Sequence, residues 1–494
     1  HAAIGGGTVP AENGIVANRW LEREAGFDEA KWEAYFAETA SYAKPGTNAA
    51  PASRDRRDRW YSTNRVSPAF ASAGALTPTL GDLLKRASPR SQVVSLALTD
   101  RAATLMAGTS ADAVYWFDGP RALFTPQTAF NDLVPGYMPA SRQWSPLLPR
   151  TELEKLAFDP PAAWPLKNTT YGGTFPHPIP SMRALQFTPF AHEMLFDFAQ
   201  QLIDERALGR DAAPDLLFVG ISSTDYLGHL YGPDSMEAAD SMIRLDRALA
   251  AFLDSLERRF GDGVVVALTS DHGIQSIPEI AKLRDPRADA GRVDLRAPHR
   301  DARVIADLPP ARIEIERKLA RALGLPFSAD APLRHALVFF FEEATLWLDD
   351  RRIAELGLDR TRVRRALRDA VRTLDGVADA WETNDRDIPP IVRNSLHPAR
   401  SGDVALTLRP GWIWMWGSNS TTHGQPVEAD LHVPLMLYGP GIAAGTYGGD
   451  ASPLDLAPTL GRLLGIEAGG RESRALPCLI PIPQSPVSRD TISP

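Results

Sequence analysis

Two short segments hold residue types that can do chemistry together. One is Ser222-Ser223-Thr224-Asp225-Tyr226-Leu227-Gly228-His229, and the other is Thr269-Ser270-Asp271-His272-Gly273. Each follows an apolar run that reads as a buried strand, Leu216–Ile221 and Val264–Leu268. Asp225 and His229 stand one helical turn apart, so a helix would present both side chains on one face. An oxygen and a nitrogen ligand on one face suit Zn2+ or a similar borderline metal. Asp271 and His272 are adjacent, and can serve one metal only where the backbone turns sharply, which Gly273 permits. In open α/β sheets, ligands gather at the C-terminal ends of strands, where both pairs fall. His423, in Thr421-Thr422-His423-Gly424 before the apolar run His432–Tyr438, is a further candidate. One Asp-His pair in a loop is more often a capping pair than a ligand set. Two pairs after two strands, with a third His, point to a metal centre whose metal the spacing does not name.

These residues need a sheet to hold them. The order strand, helix (Met236–Arg259), strand predicts a parallel sheet with right-handed crossovers. Val93–Leu98 is another strand, leading into Thr99-Asp100-Arg101, and Phe187–Leu208 has amphipathic helical spacing. A helix is expected at Ala30–Tyr42, with a break at Lys44–Pro51. Residues 109–185 read as long irregular structure that covers or serves a site. Ser452-Pro453-Leu454-Asp455 opens a helix that runs through Leu464, with a Ser N-cap and Pro at the first position. Residues 276–400 change character and read as an α+β insertion. The expected organisation is a catalytic core in two parts, 1–275 and 401–494, with the insertion 276–400 over or beside the site. Gly402–Arg409 would resume the core.

Composition narrows the function. The chain has 494 residues, 44% hydrophobic and 23% charged, which is ordinary for a globular protein. A net charge of −8 argues against a nucleic-acid polymer as partner. No apolar run approaches the roughly eighteen residues of a membrane span. The single cysteine, Cys478, forbids an intrachain disulfide and a Cys-based zinc ribbon. Any metal must rest on His, Asp, Glu or hydroxyls. Gly5-Gly6-Gly7 lacks a strand–GxGxxG–helix context and reads as a turn. Trp412, Trp414 and Trp416 alternate as in a strand, and fit a substrate mouth or a packed core equally. The Arg362–Arg372 helix reads as a solvated face. His177, His192, His299, His335, His397 and His432 read as surface or hydrogen-bonded structural residues.

With these residues in view, the chain resembles the alkaline phosphatase superfamily, in its type I phosphodiesterase/nucleotide pyrophosphatase branch. Within that branch it is most similar to the phosphate-irrepressible alkaline phosphatases of bacteria. The likeness runs through Gly7-Thr8-Val9-Pro10, Gly14-Ile15-Val16-Ala17-Asn18, Tyr115-Trp116-Phe117-Asp118, Arg244-Leu245-Asp246, Gly402-Asp403-Val404 and Leu454-Asp455-Leu456-Ala457-Pro458-Thr459-Leu460. It implies an α/β fold: an alkaline-phosphatase-like core sheet flanked by helices on both faces, with an α+β insertion.

The resemblance also implies two Zn2+ ions. Asp225, His229 and His423 would bind one. Asp271 and His272 would bind the other, with an Asp and a nucleophilic Thr from a segment ending Gly-His-Ala. His1-Ala2-Ala3 matches the end of that segment, so the Thr and that Asp are expected ahead of residue 1. The chain taken literally would then be inactive. Asn18 matches a family Asn that hydrogen-bonds a phosphoryl oxygen, although a turn cap fits it equally on sequence alone. Arg101 matches an Arg that contacts a dianionic phosphate, while Thr99 stands where those phosphatases carry a Lys. The expected substrates are small-molecule phosphate monoesters, cleaved through a phospho-Thr intermediate in the periplasm or outside the cell. Thr99 motivates a phosphodiesterase as the alternative. A manganese-dependent phosphomutase-like isomerase and a metal-binding, inactive chain are the readings from other classes.

Overall fold

In a computed structural model, residues 1–21, 60–62, 75–119, 121–157, 175–296, 304–342, 344–415 and 419–480 are described. The helix expected at Ala30–Tyr42, the break at Lys44–Pro51 and Trp416 lie outside them.

The core sheet contains β1 (Val93–Ala97), β2 (Ala113–Asp118), β3 (Leu123–Thr125) and β4 (Leu216–Gly220), in the order β3-β2-β1-β4. β1 runs parallel to β2 and β4, and β3 returns antiparallel along β2. All five residues of β1, Val-Val-Ser-Leu-Ala, are buried, as a parallel sheet covered on both faces requires. Val94 and Leu96 face one layer with Met194, Leu195, Phe198 and Leu202, which lie on the helix Phe190–Glu205. Phe252 and Leu256 of the helix Met236–Phe260 join that layer. Ala97 faces the other way, onto Ala102, Ala103 and Met106 of the helix Asp100–Ala107. Helices therefore flank the sheet on both faces.

β5 (Val266–Thr269) departs from the simple strand–helix–strand expectation. The long helix Met236–Phe260 does join β4 to β5. Among the described residues, however, β4 is laddered to β1, and β5 pairs antiparallel with a later strand, Leu435–Tyr438. The two strands that lead to the candidate ligands thus lie in separate ladders.

The insertion builds its own sheet. After the short β6 (Gly291–Val293) come β7 (Val338–Glu342), β8 (Thr345–Leu348), β9 (Val377–Glu382) and β10 (Val404–Leu408), in the order β7-β8-β10-β9. β10 is the strand expected to resume the core. Instead it hydrogen-bonds to β8 and β9. Its side chains explain this, because Val404, Leu406 and Leu408 are all buried in the cluster that holds Leu346, Ile315, Leu319, Val363 and Leu367. The helix Pro310–Leu323 is keyed to this sheet by two buried charges. Arg312 donates to the carbonyls of Leu295 and Val338, at 3.2 and 2.7 Å. Glu316 accepts from the amides of Leu337 and Val338, and burial pushes its carboxyl upward.

Three local expectations change. Gly5-Gly6-Gly7 is no turn: Ala2–Gly6 forms a helix that Gly7 ends at φ 64°. A Cβ on Gly5 would sit 2.7 Å from the Met106 carbonyl, so its glycine permits close helix packing. Ser452 does cap with a capping box, but over a 3-10 turn, Pro453–Asp455, before the α-helix Leu456–Leu464 begins. Trp412 and Trp414 belong to the insertion's packing. A Cβ on Gly376 would lie 2.1 Å from the Trp412 ring, and Trp414 is buried 5.0 Å from Phe341.

The unassigned histidines divide. His177 pairs with Glu237 at 2.7 Å in a buried contact. His192 is fully buried on the helix Phe190–Glu205, and neither ring nitrogen has a hydrogen-bond partner. Burial, helped by the charge of Arg244, pushes it down to about 3. An unfolded histidine titrates near 6.5. Between these values the unfolded chain takes up a proton that the folded chain refuses. Stability is therefore fully present above about pH 6.5 and falls as pH drops toward 3, by up to about 1.4 kcal/mol per unit. His192→Leu should leave the urea midpoint near pH 8 almost unchanged and flatten this acid limb. An acid limb as steep as that of the unsubstituted protein would remove His192 as its source.

Candidate metal centre

The site forms where three loops meet. β4 ends at Gly220, and Ser223–Tyr231 then forms a helix with Asp225 in its first turn and His229 in its last. The predicted single face is realised, with His229 Nε2 3.3 Å from Asp225 Oδ1. The loop after β5 carries Asp271 and His272. His272 Nε2 stands 3.9 Å from the same Asp225 oxygen and 3.6 Å from Asp271 Oδ2. The third loop brings His423, whose Nε2 is 3.5 Å from Asp225 Oδ1. The rings of His272 and His423 stack, with centroids 3.4 Å apart.

These separations have a chemical meaning. All three exceed a good hydrogen bond. Those of His229 and His423, 3.3 and 3.5 Å, lie close to the roughly 3.3 Å between ligand atoms that are each about 2 Å from a tetrahedral zinc, and His272 at 3.9 Å lies farther out. Asp225 Oδ1 is buried with no hydrogen-bond partner. Such an oxygen is costly unless a cation or donor meets it. Asp225, His272 and His423 offer ligand atoms within 4.8 Å of one another, so the donor set fits a metal ion.

Proton positions agree. His229 Nδ1 lies 2.8 Å from the Thr421 carbonyl, and His272 Nδ1 lies 2.8 Å from the Gly273 carbonyl. A carbonyl only accepts, so each Nδ1 carries the hydrogen. Each Nε2 lone pair is then left to face Asp225, the arrangement that orients metal-ligating histidines. Burial pushes His229 below its ordinary value, toward the neutral ligand form, against the pull of Asp225. Burial alone would raise Asp225. In their protonated forms the His423, His229 and His272 imidazoles outweigh burial and hold the carboxylate well below its usual range, whereas neutral rings leave that role to a bound cation.

Gly273 matters for another reason than the expected turn. A Cβ there would meet the Ala429 carbonyl at 2.1 Å, so close approach between two loops requires the glycine. Its amide donates to the Asp430 carbonyl at 2.8 Å.

The structure brings Asp225, His229, Asp271, His272 and His423 into one cluster. The division into two sets is not visible as a gap, because His272 reaches both Asp225 and Asp271. Arg101 lies half-buried in the first turn after β1. Thr99 accepts from the Ala102 amide as that helix's N-cap, and its hydroxyl is 3.4 Å from Ser222. Asn18 is half-buried in a bend just before the short strand Arg19–Leu21.

Two residues escaped the sequence analysis. His1, taken there only as the end of a motif, places Nδ1 3.1 Å from Asp271 Oδ2. Asp430 is buried, and its Oδ2 accepts from the Gln425 amide at 2.8 Å and from Gln275 Nε2 at 3.4 Å. Its backbone carbonyl holds Gly273. Asp430 therefore ties the His272 loop to the His423 loop. In sequence it sits in Val-Glu-Ala-Asp-Leu, where it is indistinguishable from a surface acid.

A family model described as type I phosphodiesterase / nucleotide pyrophosphatase matches residues 1–428. Among curated proteins, the alkaline phosphatase PhoV of Synechococcus elongatus is 27% identical over 495 residues, covering 94% of this chain and 80% of the relative. The alkaline phosphatase PhoK of a Sphingomonas species is 28% identical, covering 94% of this chain and 79% of the relative. The crystal structure of wild-type alkaline phosphatase PafA superimposes with a TM-score of 0.76 at 23% identity, over 97% of this chain and 89% of that one. The match in architecture supports the alkaline-phosphatase-like fold expected from the sequence.

Replacing Asp430 should loosen the centre without dismantling it. Outer partners of metal ligands typically contribute about 10–100-fold in affinity. Asp430→Ala is expected to weaken zinc binding by that order in a chelator competition, with the far-ultraviolet dichroism retained. An unchanged zinc affinity in a folded variant would show that Asp430 does not position the ligands.

Proposed function

Because the chain belongs to the type I phosphodiesterase/nucleotide pyrophosphatase family, we propose that it is a zinc-dependent phosphoric ester hydrolase acting on small-molecule phosphate monoesters. The observation that carries this reading is the buried Asp225 oxygen with three imidazole nitrogens 3.3–3.9 Å away. Two Zn2+ ions would be held by Asp225, His229 and His423 on one side, and by Asp271 and His272 on the other. Bound zinc would supply Lewis acidity toward phosphoryl oxygens and lower the pKa of a coordinated hydroxyl or water.

The chain's own residues prepare that chemistry. Thr421 and Gly273 fix the imidazole tautomers through their carbonyls. Asp225 presents a buried oxygen to the three imidazoles. Arg101 offers a guanidinium fork to non-bridging oxygens, and Asn18 an amide donor. The reading includes a phospho-Thr intermediate, with the Thr that the family motif places ahead of His1. No described helix is long and apolar enough to cross a membrane. A periplasmic or secreted location is part of the proposal.

One observation favours a second reading. Thr99 is engaged as a helix cap, so the segment after β1 supplies one cation rather than two. Diesters carry less charge than monoesters, and a phosphodiesterase is the alternative.

Zinc-loaded protein that includes the Thr ahead of His1 should cleave an aryl phosphate with higher kcat/KM than the matched aryl phosphodiester. A clear preference for the diester would overturn the monoester assignment. Hydrolysis of neither, with zinc bound, would favour a metal-binding chain without catalysis. Asp225→Asn replaces a charged ligand with a neutral one. It should lower zinc affinity by about 100-fold or more, read by elemental analysis after dialysis. Full metal occupancy in that variant would count against the ligand set.

A further inference from the structure

We propose that Arg183, a residue outside every metal and phosphate motif in the chain, is a specificity-determining cation of this site. With Arg101 it selects phosphoryl groups that carry two negative charges. The inference rests on the phosphate-ester reading above and names the substrate charge state that the same site prefers.

The placement follows from the sheet. β2, β1 and β4 are adjacent and parallel, so their C-terminal ends lie side by side. Arg101 follows β1, and Asp225 follows β4. Gly119 follows β2, and a Cβ built on it would lie 3.6 Å from Arg183 Cγ. Arg183 therefore leans over the same rim, though it comes from a short helix, Met182–Leu185, far along the chain. A second contact fixes that helix to the site. Phe187, whose amide donates to the Ala184 carbonyl, packs its ring 5.0 Å from Tyr226, the neighbour of Asp225.

Neither guanidinium has a carboxylate or hydrogen-bond partner among the described residues. Arg244, on the helix Met236–Phe260, is by contrast paired with Asp240. The acids that follow these strand ends are Asp100 after β1 and Asp225 after β4. Asp100 is occupied by the Arg101 amide at 2.8 Å, and Asp225 faces the imidazoles. Two cations are thus left for an incoming anion. Arg101 is half-buried and Arg183 is exposed, so one lies deeper and the other at the entrance. A monoester dianion can engage both. A diester monoanion has one charge and a second bulky substituent, and gains less from the outer one.

The test is binding, and it needs no turnover. Inorganic phosphate is mostly dianionic near pH 8, and dimethyl phosphate is a monoanion there. Calorimetric affinities for both are measured on the zinc-supplied 494-residue chain, unsubstituted and as Arg183→Gln and Arg183→Lys. Arg183→Gln should weaken phosphate binding by about tenfold and dimethyl phosphate by at most about twofold, the scale of one charge-assisted hydrogen bond. Arg183→Lys should recover most of the phosphate affinity. Because Arg183 is exposed, both variants should keep the parent's unfolding midpoint. Equal losses on the two probes, or no loss on either, would overturn the proposal while leaving the phosphate-ester reading intact. Failure of the unsubstituted chain to bind either probe would remove that reading, and this inference with it.

Discussion

One carboxylate oxygen organises the site. Asp225 Oδ1 is buried and has no hydrogen-bond partner among the described residues. A charge in that position is stable only if a cation compensates it. Three imidazoles surround it, and two of them are turned so that their lone pairs, not their N–H groups, face the oxygen. Neutral imidazoles in that orientation would repel the carboxylate, lone pair against lone pair. A divalent cation between them converts the same arrangement into a favourable one. Protonation of the rings is the competing solution, and burial works against it at His229. Under the proposed function, a metal is the compensation that this arrangement fits.

Such a preference requires that the ligands cannot relax apart. They stand on loops from separate ladders, β4 and β5, and on a third loop more than a hundred residues later. Hydrogen bonds between those loops do the fixing. Ser420 donates its amide to the His229 carbonyl, and Thr421 Oγ1 donates to Gln275. Asp430 joins the Gln425 and Gly273 turns. The insertion takes part: Arg292 donates to the Ser420 carbonyl at 2.6 Å, and the Leu408 amide of β10 donates to Gln425 Oε1 at 2.7 Å. The insertion thus braces the His423 loop from the side.

Legibility in the sequence followed the range of the interaction. The Asp225–His229 spacing is local, and one helical turn translates it directly into a shared face. The alternative packing of β10 was not legible, because Val-Ala-Leu-Thr-Leu is equally suited to either sheet and pairing is decided by distant partners. Gly273 was singled out for the right position and the wrong cause. A glycine marks a need for space as well as for unusual dihedrals, and only the neighbouring Ala429 carbonyl distinguishes the two. His192 shows the converse. Its apolar helical neighbours, Ala191, Met194 and Leu195, predict burial, yet nothing local reveals that its ring nitrogens find no partner. Asp430 was invisible because a carboxylate's role depends on which loops it meets, and those are set by the whole fold.

Thr99 shows how a local requirement redistributes a functional one. It ends β1 and begins a helix, and its hydroxyl accepts the Ala102 amide that would otherwise be unsatisfied. Losing such a cap commonly costs about 1 kcal/mol. A lysine there would reach the phosphate but could not accept that hydrogen bond. Threonine serves the helix and leaves the sheet end one cation poorer. The sheet's geometry offers a remedy, because the end of β2 lies beside the end of β1 and its Gly119 leaves room for another chain segment to approach. The side chains that approach there are Gln186 and, beside it, Arg183. A cation supplied from a covering segment also differs in kind from one supplied by the sheet. It is exposed, more strongly screened by salt, and carried by a segment that packs on Tyr226 through Phe187 rather than by a strand. The inner charge is thus set by the fold, and the outer one by the cover laid over it.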